Sequence, residues 1–79
     1  MSKAGSALKQ VLESHSITQY QLSAIMGVNR SNFSRWLRGE RDPLAEVVVE
    51  IYKALKSINP KAASEFVRLY LGMAADEEI

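Results

Sequence analysis

The chain has 79 residues, a formal net charge of +1, and 47% hydrophobic against 24% charged residues, a balance that fits one small globular domain (1–79) and excludes a disordered or fibrous chain. A domain of this size buries only about 60% of the surface that its unfolded chain exposes, so stability is modest and a partner subunit adds to it. With no cysteine and one histidine there is no disulfide framework and no cysteine or histidine metal cluster, and without an apolar run of about 18 residues or an apolar signal core the chain is expected to be cytoplasmic.

The small net charge hides an uneven distribution. Residues 1–43 carry +3 and residues 44–79 carry −2. Within residues 29–43, Arg30, Arg35, Arg38 and Arg41 stand against only Glu40 and Asp42, a local basic footprint of the kind that meets phosphate.

The first helix is predicted over residues 3–15, with Leu8, Val11 and Leu12 on one face and either Ser2 or Ser6 as its cap. His15 falls at its end, where a ring meets the last carbonyls favourably. The second helix begins with a capping box, Thr18 receiving amide hydrogen bonds while Gln21 reaches back to the Thr18 amide, and Ile17 with Leu22 forms a hydrophobic staple. Leu22, Ile25 and Met26 make its apolar stripe, and Tyr20 and Gln21 lie on its outer, solvated side. Gly27 closes it, because glycine adopts the left-handed conformation without steric cost.

The third helix has Asn29 as its cap and Val28 with Phe33 as a second staple. At 100° per residue, Phe33, Trp36 and Leu37 fall within an arc of about 100° that faces the core. Ser31, Ser34, Arg35 and Arg38 fall on the other side, with Arg30 at the N-terminal edge. Such a face can lie in a major groove, where arginine pairs with guanine O6 and N7 and serine bonds to any base. Gly39 ends this helix, so residues 18–39 read as a helix-turn-helix.

The run Thr-Gln-x-x-Leu-Ser-x-x-x-Gly-Val-x-x-x-x-Phe-Ser-x-Trp-x-Arg-Gly-x-Arg-x-Pro, from Thr18 to Pro43, resembles the Cro and phage-repressor-like helix-turn-helix family. The resemblance implies an all-α, compact five-helix bundle of the lambda-repressor-like type and a dimeric transcriptional regulator bound to double-stranded DNA. By position, it implies that Arg30, Ser31 and Arg35, with Ser34 as a further candidate, touch base edges. It also implies that Gln19, Asn32, Arg38 and Arg41 lie near phosphates.

Residues 40–43 form a polar loop in which Glu40 and Asp42 either lower DNA affinity or hold Arg38 and Arg41 in place. The fourth helix is predicted over residues 44–57, with Val48, Ile51, Tyr52 and Leu55 at core spacing. Pro43 as its first residue with Asp42 as cap is an alternative start, and Leu44 stands where many members of the family carry a capping hydroxyl. Strand propensity in the Val47–Val49 run is overridden by helix-compatible neighbours. Ile58, Asn59 and Pro60 break this helix; Asn59 then caps, and Pro60 opens, a fifth helix over residues 60–72 that Gly72 ends. The acidic tail 74–79 is expected to fray.

From Phe66, the apolar residues Leu69, Met73, Tyr70, Val67 and Leu71 cover an arc of about 200°, against about 100° for an ordinary surface helix. A symmetric homodimer through Phe66, Val67, Tyr70 and Leu71 covers the excess; the alternative is that the whole arc packs inside one bundle. The sequence offers no Gly-rich phosphate loop, no cysteine nucleophile and no histidine paired with a patterned serine, so neither an enzyme nor a cofactor or metal is expected. The reading is a sequence-specific double-stranded DNA-binding regulator, nucleoid-associated when bound. The alternative is a protein-interaction module, or an antitoxin-like protein, that docks a partner on the same fold.

Overall fold

The computed structural model describes residues 3–78, with side chains described for residues 3–72. Five helices follow in order: α1 (Lys3–Ser14), α2 (Gln19–Met26), α3 (Arg30–Leu37), α4 (Ala45–Ile58) and α5 (Pro60–Glu78). The all-α, five-helix expectation holds, and no helix among the described residues is long and apolar enough to cross a membrane.

The first three helices end by one device. Ser16, Gly27 and Gly39 have φ of 54°, 69° and 76°. The residue after each donates its amide back five positions: Ile17 to the Leu12 carbonyl at 2.9 Å, Val28 to Ser23 at 3.1 Å and Glu40 to Arg35 at 3.0 Å. This closure satisfies a helix-end carbonyl and reverses the chain sharply. Glycine adopts the turn freely in two cases, while at Ser16 a side chain bears its steric cost.

The helix starts are less uniform. Thr18 Oγ1 accepts the Gln21 amide at 3.0 Å and Asn29 Oδ1 the Ser31 amide at 2.8 Å, both as expected, and Asn59 Oδ1 accepts the Lys61 amide at 3.0 Å at the head of α5. Ser6 lies inside α1 and does not cap it; Ser2 falls outside the described residues. At α4 the cap residue is Leu44, extended at φ −66° and ψ 158°, with no side-chain hydrogen bond. Asp42 and Pro43 therefore precede the helix, which starts only at Ala45. The Leu44 carbonyl accepts from the Val47 and Val48 amides at 2.8 and 3.0 Å, and Glu46 in the first turn suits the positive end of the helix dipole.

Four boundaries differ from the sequence reading. α1 stops at Ser14 and α4 starts at Ala45, each one residue inside the expected range. Ile58 is the last residue of α4 and not part of the break. The fifth helix runs through Gly72 to Glu78, so residues 74–78 continue it. Glycine inside a helix costs about 1 kcal/mol relative to alanine, too little to stop a helix whose neighbouring Leu71, Met73, Ala74 and Ala75 are good formers. Gly72 does not have the positive φ of Gly27 and Gly39.

α5 packs on both α4 and α1, α1 also meets α3, and α2 meets α3 and α4. Leu8, Val11, Leu22, Phe33, Ile51, Leu55 and Phe66 are fully buried where these helices converge. Each such side chain contributes roughly 1.5–3 kcal/mol relative to an exposed one. Trp36 is buried beside Phe33, their ring centroids 5.6 Å apart. Ile25, expected inward, is 50% exposed, because α2 buries Leu22 and Ser23 instead. The Ser23 hydroxyl satisfies itself on the Tyr20 carbonyl at 3.3 Å.

His15 meets α5 and not the carbonyls of its own helix. Its Nε2 lies 2.7 Å from Glu65 Oε2 and its Nδ1 lies 3.4 Å from Asn59 Nδ2. Since Asn59 Oδ1 caps Lys61, its Nδ2 donates to His15 Nδ1, leaving Nε2–H to donate to Glu65. The ring thus ties the end of α1 to the start of α5, a structural role.

Candidate nucleic-acid interface

α3 is held by its inner face. Phe33 is fully buried and Trp36 is 7% exposed, so rotation of the helix would pull two aromatic rings out of the core. The opposite face is thereby fixed outward. Arg30, Ser31 and Arg35, expected at base edges, are all exposed on it. The Asn29 cap orders the first turn beneath Arg30 and Ser31.

Ser34, the further base-edge candidate, is half-buried and donates through Oγ to Gln19 Oε1 at 3.2 Å. This bond joins α3 to the first residue of α2. Gln19 is exposed beside the α2 N-terminus, where amides and dipole favour an anion. The structure therefore brings Ser34 and Gln19 together as one polar bridge between the two helices.

Of the residues expected near phosphates, Arg41 reaches back to Asn32 in the first turn of α3, whereas Arg38 at its end pairs elsewhere. Arg41 Nη1 donates to Asn32 Oδ1 at 3.4 Å, and Arg38 Nε donates to Glu40 Oε2 at 2.6 Å. A groove of about 420 Å³ between α1 and the helix-turn-helix is lined by Lys9, Glu13, Gln19 and Arg38 over an apolar floor that includes Leu12, Ile17 and Leu37. Lys9 was missed by sequence reasoning. Nothing in its neighbourhood along the chain marks it; only the fold places it with Gln19 and Arg38.

The residues expected at a dimer interface fall in a different place. Phe66 is fully buried and belongs to the core, stacked on Tyr70 with centroids 6.2 Å apart. It lies at the floor of the groove between α4 and α5, with no exposed area of its own. Val67 and Tyr70 are half-buried and Leu71 is 58% exposed. With Val48, Val49 and Tyr52 of α4 they line a largely apolar groove of about 460 Å³. The α4 side of this groove was missed. Its signal was the Val47–Val49 run, which holds more apolar residues than the inward face of α4 uses.

Among the described residues no group of three or more His, Asp or Glu side chains is arranged to hold a metal. No curated protein and no solved structure matches the chain. A helix-turn-helix family model matches residues 8–61, more than half of the chain. That span runs from the core of α1 through the exposed arginine face of α3 to the head of α5. The chain belongs to the Cro/phage-repressor-like helix-turn-helix family of DNA-binding transcriptional regulators.

Proposed function

We propose that the protein is a sequence-specific regulator that reads double-stranded DNA through α3 as a homodimer on a pseudo-palindromic site. The observation that carries this reading is the locked orientation of α3, with Phe33 and Trp36 buried on one side and Arg30, Ser31 and Arg35 exposed on the other. In this reading those three residues contact base edges, Ser34 positions Gln19, and Gln19, Asn32, Arg38 and Arg41 fix register on the phosphates. Lys9 joins the phosphate contacts, since it shares a groove with Gln19 and Arg38.

The α4–α5 groove supports the dimer. A two-fold axis lets Leu71 and Val49 of each copy cover the other's groove over Val67 and Tyr70. Two reading helices about 34 Å apart then match half-sites one helical turn apart. The same groove favours a second reading, in which it receives a different protein and the dimer is absent. Selection of bound duplexes from a random pool tests the first reading. It predicts a two-fold symmetric site preferred by at least about 10³-fold over scrambled DNA. A half-site alone would leave DNA reading but remove the dimer, and no motif at all would shift the function to a protein partner on α4–α5.

A further inference from the structure

Arg38 and Arg41 flank the turn at Gly39 and are held differently. Arg41 bonds to a neutral amide, Asn32 Oδ1, at 3.4 Å, and has no carboxylate partner among the described residues. Arg38 bonds to a carboxylate, Glu40 Oε2, at 2.6 Å, and the two side chains are 59% and 55% exposed. The backbone sets up this pair. Gly39 at φ 76° reverses the chain, and the Glu40 amide closes on the Arg35 carbonyl at 3.0 Å, so residues two apart meet over the helix end.

Stability does not account for Glu40. An exposed ion pair contributes little to folding, and a carboxylate at the C-terminal end of α3 opposes the helix dipole. Its effect falls instead on the cation it occupies. We propose that Glu40 stands in for a phosphate on Arg38 and so sets the sequence-independent part of DNA affinity, an inference that rests on the DNA-reading function above. A DNA phosphate must displace this carboxylate or lie beside it, which offsets the counterion release Arg38 would otherwise provide; Arg41 keeps its own. Of the two roles open to Glu40 from the sequence, this assigns it the attenuating one.

The test measures affinity against salt for the unmodified chain, Glu40→Gln, Arg38→Ala, the double variant, and Asp42→Asn, on a selected and a scrambled duplex. Asp42 is an exposed acid of the same loop with no ion pair among the described residues, so it controls for net charge. Glu40→Gln is expected to tighten both duplexes alike by about 2- to 5-fold at low salt and to steepen the log–log salt slope by about 0.9. The gain should vanish when Arg38 is alanine, and Asp42→Asn should give a clearly smaller one. Unchanged or weaker binding by Glu40→Gln, a gain that survives loss of Arg38, or an equal gain from Asp42→Asn overturns the proposal while DNA reading stands. Failure of the unmodified chain to bind either duplex overturns both.

Discussion

Helices α2 and α3 have 8 residues each, whereas α4 has 14 and α5 has 19, and the two pairs keep their shape by different means. Isolated helices shorter than about 12–15 residues are marginal in water, and the short pair is fixed at both ends by local devices. Thr18 and Asn29 cap the starts, and Gly27 and Gly39 turn the chain at the ends. The long pair does without some of them. α4 begins at an uncapped Leu44, and α5 runs straight through Gly72. Packing of α4 and α5 on each other, and of α5 on α1, supplies what those caps would. The difference places precise local control beneath the arginine face, where the angle of α3 matters, and leaves the apolar groove on helices held by burial.

That contrast can be broken most severely at Phe33, the fully buried ring that anchors α3. Phe33→Ala should cost about 3–5 kcal/mol, enough to unfold a domain this small, as read from the urea midpoint. The comparison is sharper at the glycines, where one substitution should have opposite signs. At Gly27 an added Cβ meets nothing within 4 Å, so Gly27→Ala should destabilise by about 1–2 kcal/mol through left-handed strain alone. Gly72 also has open space around it and no positive φ, so Gly72→Ala should stabilise by up to about 1 kcal/mol. Melting temperatures moving in the same direction for both would remove the distinction. At the helix starts, Thr18→Ala should cost about 1 kcal/mol, and Leu44→Ser, which supplies the missing cap, should add about 0.5–1 kcal/mol.

The same contrast explains what the sequence made legible. Caps and turns act within five residues, and the inward arc of Phe33 and Trp36 follows from helical stepping, so residues 18–39 are legible in the sequence apart from Ile25, which lies outward where helical stepping points inward. The start of α4 and the run through Gly72 are not, because no local signal decides them and packing does. Long-range pairs were equally hidden. His15 and Glu65 lie 50 positions apart, and Gln19 and Ser34 lie 15 apart; only the fold brings them together. Phe66 was placed on the correct helix but on the wrong side of its apolar arc. An arc of about 200° has an inner and an outer half, and the buried neighbours Ala62 and Ala63 show Phe66 to belong to the inner one.

In the proposed function α3 reads bases while Gln19, Asn32, Arg38 and Arg41 hold the backbone. Titration of Arg35→Ala and Arg41→Ala against the selected duplex, its single-base variants and a scrambled duplex tests it most directly. Arg35→Ala should lose about 1–3 kcal/mol on the selected duplex and relax preference at one base pair, whereas Arg41→Ala should weaken every duplex alike and reduce the salt slope by about 1. Equal losses on all sequences from both variants would contradict the account.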